Sequence, residues 1–267
     1  MNKIPLIMGI VNATGNSFSE GAASDPESAL DRALKLLDDG ADIIDIGAES
    51  TRPGAAEVPA EQECEVITKF LEQLFSIRPG VQVSVDTRHA VTAAKALELG
   101  AAYINDVSML RHDDKMADCA AKYDAKLILC HSRGTPLTMK GKQFCCYSDV
   151  VDEVKEELSG AAEKAVACGV KRENIIFDPG FGFAKDVVQQ LEMLVRAHEF
   201  CALGKTLVGL SRKSFLGALT GVDEPQERVG STLCAELQLA ECNIDIIRTH
   251  NVRYLRDALT VKKYLEQ

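Results

Sequence analysis

Eight short apolar runs recur along the chain: Ile4–Ile10, Ile43–Ile46, Val81–Val85, Ala102–Ile104, Lys126–Cys130, Asn174–Phe177, Thr206–Leu210 and Asp245–Ile247. Most are apolar on successive residues and dense in Ile and Val, which suits parallel strands covered on both faces. Just beyond them stand polar residues: Asn12, the 49–53 stretch, Asp86, Asn105–Asp106, His131, Asp178, the 211–213 stretch, and Arg248 with His250. Between the runs the spacing turns helical, and it predicts helices at about 25–39, 59–76, 88–99, 112–123, 148–168, 186–199, 226–241 and 252–265. In the first, Leu30, Ala33, Leu34 and Leu37 recur at helical intervals, and Gly40 supplies a stop.

Strand, polar tip and helix, eight times over, predict an α/β fold made of a single (β/α)8 TIM barrel. In that architecture the strand C-termini meet at one mouth, where active sites are built. An open doubly wound sheet shares the alternation, but no GxGxxG follows the first run and no P-loop occurs. The connections at 11–24 and 48–58, after strands 1 and 2, are long and rich in Gly, Ser and Ala. They read as mobile loops over the mouth.

Length and charge narrow the picture. At 267 residues, with 46% apolar positions and no linker, the chain reads as one domain over 1–267. No run approaches the roughly 18 uninterrupted apolar residues of a membrane span, and no signal-peptide pattern opens the chain. The expectation is a cytoplasmic protein without membrane partners. A net charge of −10 argues against general nucleic-acid binding. Basic residues nevertheless gather at the tips (Arg52, Arg88, Arg133, Arg212, Lys213, Arg248), which suggests an anionic small ligand. The nine cysteines are odd in number and scattered, so they read as reduced thiols rather than disulfides or a zinc site.

The most specific local signal is Asp178-Pro179-Gly180-Phe181-Gly182-Phe183. A carboxylate ending a buried strand must be hydrogen-bonded or charge-paired. With aromatic faces beside it, the carboxylate suits a planar heterocycle bearing adjacent N–H donors. The bland alternative is a turn cap with two core rings. Asp86 and Asn105 could be helix caps, but they belong to the same mouth and would outline the same flat polar ligand. Asp106 reads as a capping residue or as one that supports the pocket from behind. Ser211-Arg212-Lys213-Ser214 and Arg248-Thr249-His250 follow strands seven and eight, whose loops frequently bind phosphate in barrels. Asn12 could ligate a hard cation, and Arg52 could clamp an anion, against bland readings as a turn residue and a surface charge. His131 stands at a strand tip without an evident partner.

Taken together these residues resemble the dihydropteroate synthase family. The resemblance rests on Met8–Asn12, Asp45–Gly54, Ser84–Thr87, Ile104–Val107, Asp178–Phe183, Ser211–Gly217 and Arg248–His250, in family order over almost the whole chain. It implies a barrel that joins 6-hydroxymethyl-7,8-dihydropterin pyrophosphate to p-aminobenzoate through a pterin carbocation, releasing pyrophosphate. By the resemblance, Asp86, Asn105, Asp178 and Lys213 hold the pterin. Asn12, Arg248 and His250 hold pyrophosphate, and Asn12 its magnesium ion. Thr51, Arg52 and Pro53 of the second loop, with Phe181, Ser211 and Lys213, form the p-aminobenzoate pocket, where sulfonamides also bind. Asp178, Lys213, Arg248 and His250 carry the catalysis, with Asp178 paired to Lys213 before the reaction. The family is commonly dimeric.

The chain departs from the family at Gly15-Asn16, where a Pro-Asp pair is usual, at Cys130 before His131, and at Asn251 after His250. Two other readings remain. One is a methyltetrahydrofolate-type methyltransferase, which needs no pyrophosphate site and is disfavoured by Lys213, Arg248 and His250. The other is a pterin-binding relative that has lost catalysis, for which Gly15-Asn16 is the only support.

Overall fold

The computed structural model describes residues 3–13, 26–49, 58–135, 138–139 and 141–265. Eight parallel strands close into a barrel: β1 Leu6–Asn12, β2 Ile43–Gly47, β3 Val83–Asp86, β4 Tyr103–Asp106, β5 Lys126–Cys130, β6 Ile175–Asp178, β7 Lys205–Val208 and β8 Ile246–Thr249. The ladder runs in chain order and closes where Leu6–Gly9 of β1 pair with Ile246–Thr249 of β8. The helices are α1 Pro26–Asp38, α2 Ala60–Ile77, α3 Ala90–Leu99, α4 Met116–Lys122, α5 Val150–Ala167, α6 Val187–Val195, α7 Ser214–Thr220, α8 Val229–Glu241 and α9 Val252–Leu265. The TIM barrel predicted from the pattern is therefore present. The loop segments 14–25 and 50–57, with Gly15, Asn16, Thr51, Arg52 and Pro53, lie outside the described residues.

Two details differ from the sequence reading. Helix α7 occupies a stretch for which the spacing predicted no helix. It is held by the buried Phe215 and Leu216 and stopped by Gly221, which takes the left-handed conformation at φ +73°. The tip residues Asn12, Asp86, Asn105, Asp106, Asp178 and Arg248 belong to the strands themselves rather than to the loops beyond them.

The reason lies in strand parity. Met8, Ile43, Tyr103, Ile128, Ile176, Leu207 and Ile246 form a cluster of their own, separate from the larger one between strands and helices. This smaller cluster is the fill of the barrel interior. Successive side chains alternate across a strand, so residues two positions on face the same interior, one layer nearer the mouth. Those positions are Ile10, Asp45, Asn105, Cys130, Asp178, Gly209 and Arg248, and Asp86 follows Ser84 in the same way. The register agrees, since Gly47 pairs with Asp86, Asp86 with Asn105, and Cys130 with Asp178. An apolar layer thus supports one that is mostly polar. Asp106 has the opposite parity, and its carboxylate accepts from the N–H groups of Ser108 and Leu110, capping the turn as anticipated.

Candidate active site

The polar layer is organised around Arg248. Its Nε donates to Asp45 Oδ2 at 2.6 Å and one terminal nitrogen donates to Asp86 Oδ2 at 3.1 Å. Asn105 Nδ2 donates to the same Asp45 oxygen at 3.4 Å. Asp45 is fully buried, a position a carboxylate holds only with a cation and donors beside it. Burial and the neighbouring Asp45 push the Asp86 carboxyl up to about 8, with Arg248 pulling the other way. Burial works against the charge on Arg248, but Asp45 and Asp86 hold its proton more firmly than usual. The buried Asn105 Oδ1 has no partner among the described residues, which leaves an acceptor open to a ligand.

Across the mouth, Asp178 Oδ1 accepts from the Gly180 N–H at 2.8 Å. Burial raises the Asp178 pKa, while the Gly180 N–H, Lys213 and Arg248 oppose the rise. Lys213 lies with Nζ 4.9 Å from the centre of the Phe183 ring. Burial lowers its pKa and Asp178 counters. Among the described residues no ion pair joins Asp178 to Lys213, so the direct pairing expected from the resemblance is absent. The two charges act on each other across the pocket instead.

The aromatic assignment also shifts. Phe181 is 1% exposed and packs against Phe215 with ring centres 6.1 Å apart. It is a core residue in this structure and offers no face to the mouth. Phe183, two residues on, is half-buried and lines a solvent-open cleft with Glu49, Arg88, Arg111 and Arg133. Val107 and Met139 line the same cleft.

At the tips of β7 and β8, the His250 N–H donates to Ser211 Oγ at 3.1 Å, and His250 Nδ1 lies at the same distance from that oxygen. The two loops expected to read phosphate are therefore joined. Arg212 between them adopts a left-handed φ of +62°. Its carbonyl accepts from the Arg228 guanidinium at 2.9 Å, and its N–H donates to Thr232 at 3.2 Å. Asn12 ends β1, exposed and paired in register with Gly47.

Two of the basic tips are neutralised internally. Arg88 grips both Glu49 oxygens at 2.7 and 2.9 Å, and Arg133 binds Glu153 at 2.8 Å and Glu157. His131, which had no evident partner in the sequence, has two. Its Nε2 meets Glu157 at 3.1 Å and its Nδ1 meets Lys185 Nζ at 2.9 Å. Burial pushes the imidazole down to about 3, so it is neutral. Asp45, which holds Arg248, and Lys185, which holds His131, were not singled out in the sequence. The parity of β2 could have revealed Asp45. Nothing in the order of residues marks Lys185.

A family model described as pterin binding enzyme matches residues 8–250. The folic acid synthesis protein fol1 of Schizosaccharomyces pombe is 39% identical over 93% of this chain, which spans 34% of that protein. The chain thus covers about a third of this longer relative. The dihydropteroate synthase of Bacillus subtilis is 37% identical, over 94% of this chain and 85% of its own length. Among solved structures, the dihydropteroate synthase of Xanthomonas albilineans with 4-aminobenzoic acid superposes with a TM-score of 0.91, at 36% identity, covering 99% of this chain and 94% of that one. The Yersinia pestis enzyme in complex with a sulfonamide drug gives 0.92 at 34% identity, covering 98% and 94%.

Proposed function

The chain belongs to the pterin binding enzyme family, and on that premise we propose that it carries out the dihydropteroate synthase reaction. It joins 6-hydroxymethyl-7,8-dihydropterin pyrophosphate to p-aminobenzoate and releases pyrophosphate. One observation carries the reading: Asp86, Asn105, Asp178 and Arg248 occupy a single inward-facing layer at the mouth, with Lys213 close enough to act on Asp178. That layer matches a flat bicycle whose edge presents N–H donors, with carboxylate and amide oxygens to receive them.

The chemistry follows from where the charges stand. The bond from the pterin methylene carbon to the pyrophosphate oxygen breaks, and its electron pair leaves on pyrophosphate. The carbon becomes cationic, bonds to the amine nitrogen of p-aminobenzoate, and that nitrogen sheds a proton. Asp178 stabilises the cation electrostatically without forming a covalent intermediate. Lys213, over Phe183 rather than locked to Asp178, is free to donate to the ligand. Arg248 and His250 receive the charge that develops on pyrophosphate. Arg248 does so from the pterin floor, held there by Asp45 and Asp86.

Magnesium fits the donor set. Among the described residues no group of three His, Cys, Asp or Glu side chains could cage a metal. Mg²⁺ ordinarily keeps several waters and is held by a few protein oxygens, most often carboxylates, together with substrate phosphate. Asn12 Oδ1 at the end of β1 is such an oxygen. When bound, the ion supplies charge neutralisation to the leaving pyrophosphate.

A homodimer fits the surface. On α6, Val188 and Val195 are 73% and 66% exposed, and Leu191 is exposed between them. At this spacing they form one apolar stripe, and Leu219 of α7 is exposed as well. Among the described residues no helix is long and apolar enough to cross a membrane, which is consistent with a cytoplasmic biosynthetic enzyme. By analogy with the relative that binds a sulfonamide drug, sulfonamides are the inhibitors to try.

The test is incubation with the pterin pyrophosphate, p-aminobenzoate and Mg²⁺, following dihydropteroate and pyrophosphate together. Equimolar appearance of both supports the reading, and omission of Mg²⁺ should slow it. Pyrophosphate without dihydropteroate would refute it.

A further inference from the structure

Lys185 lies behind the site and has been given no role so far. It follows Ala184, which is left-handed at φ +50°, and its side chain folds back under the Asp178–Phe183 turn until it is only 6% exposed. Its ammonium is surrounded by three acceptors: the Gly180 carbonyl at 3.0 Å, the Phe183 carbonyl at 3.0 Å and His131 Nδ1 at 2.9 Å. An ammonium has three N–H groups, so every one is engaged, which is the condition for burying it.

Those acceptors are informative. Gly180 and Phe183 are the two ends of the turn, which the Phe183 N–H already closes onto the Gly180 carbonyl at 3.2 Å. His131 belongs to the neighbouring strand end, and its N–H donates to the Asp178 carbonyl at 2.8 Å. The turn is pressed so closely on that strand that a Cβ on Gly180 would lie 1.8 Å from the His131 carbonyl oxygen. On its other side, Gly182 lies beneath the Lys213 side chain, where a Cβ would come within 3.3 Å of Nζ. The turn is therefore sandwiched between a buried lysine that ties it down and the lysine of the pocket. Asp178 takes its orientation from the Gly180 N–H, and Phe183 sits at the turn's end.

We propose that Lys185 is a positioning residue for the pterin, fastening the 180–183 turn to His131 so that the Asp178 carboxylate and the Phe183 ring are presented to the ligand. The proposal rests on the pterin reading of the mouth. It has a consequence in pH. The charged and titratable groups facing Lys185 are Cys130 at the end of β5, His131 and Arg133 just beyond it, Cys145 ahead of α5, Asp178 of β6 and Glu157 of α5. Burial pulls Lys185 down to about 7, with Cys130, Asp178 and Glu157 opposing. A neutral amine keeps two N–H groups for the carbonyls and loses the third, to His131.

The experiment measures binding of 6-hydroxymethylpterin, by its own fluorescence, to the wild-type chain, to Lys185→Met, and to Lys185→Ala with and without ethylammonium. For Lys185→Met, folding cooperatively by circular dichroism, the Kd should rise between about tenfold and a hundredfold, the range for misaligning a hydrogen bond to a charged group. Ethylammonium should recover part of the affinity of Lys185→Ala. The wild-type advantage over Lys185→Met should shrink as pH rises through about 7; Asp86 titrates in both proteins and drops out of the difference. If Lys185→Met does not fold, Lys185→Arg replaces it, with the same expected weakening. Wild-type binding matched within twofold by the folded variant overturns this inference alone. A wild-type chain that binds no pterin overturns the functional reading along with it.

Discussion

Arg248 and Asp45 meet at 2.6 Å across the barrel interior, joining β8 to β2 over the intervening β1. The contact closes the floor of the mouth and sets the guanidinium where it can face both a ring and the anion attached to it. Arg248 also bonds Asp86, so one cation holds two buried carboxylates that would otherwise repel each other.

Removing that partner should be costly. Asp45→Ala leaves Arg248 with less compensation and Asn105 without its acceptor. Loss of one member of a buried pair costs about 3–5 kcal/mol. Urea unfolding should show a loss of that order, and KM for the pterin substrate should rise in whatever folded fraction remains. An unchanged midpoint would mean that Arg248 is satisfied elsewhere.

Glu236 of α8 gives a stability prediction with a defined sign. It is buried, and burial pushes its carboxyl up to about 8, with Thr249 opposing. The unfolded chain releases this proton near the ordinary value of 4.5. The folded state therefore binds more protons between those limits. Its stability contribution is fully present below about 4.5 and is lost as pH rises towards 8, by a few kcal/mol in order of magnitude. Glu236→Gln should flatten that slope and raise Tm at pH 8. Thermal melts at pH 5, 6.5 and 8 on both proteins decide it, and parallel curves would contradict the assignment.

The α6 stripe predicts self-association. Val188→Glu with Val195→Glu should convert a dimer to a monomer in sedimentation velocity while leaving the barrel folded. A wild-type monomer at tens of micromolar would remove the basis for the dimer.

The fold was legible because each apolar run announced a strand and each polar tip marked the same end of the barrel. Helix α7 was not, because seven residues beginning Ser-Phe-Leu-Gly carry too little periodicity and too many small residues to stand out. Within the site, Asp86, Asn105, Asp178 and Arg248 were readable from their position at strand ends. Asp45 was passed over, although its place two residues after Ile43 puts it in the same layer. The choice between Phe181 and Phe183 depended on the path of the Gly180 and Gly182 turn, both left-handed in φ, which no spacing encodes. Lys185 was hidden for a similar reason. A lysine after a glycine-rich loop looks solvated until the turn folds over it.

The account depends on the carboxylate at the sixth strand tip opposing a positive charge on the bound ring. The direct measurement is the rate of dihydropteroate formation by wild type and by Asp178→Ala, at saturating p-aminobenzoate and Mg²⁺. A fall of about a thousandfold or more, in a variant whose melting curve stays cooperative, is the predicted result, in line with losing a preorganised charge at the reacting centre. A folded Asp178→Ala that makes dihydropteroate at near the wild-type rate would contradict it.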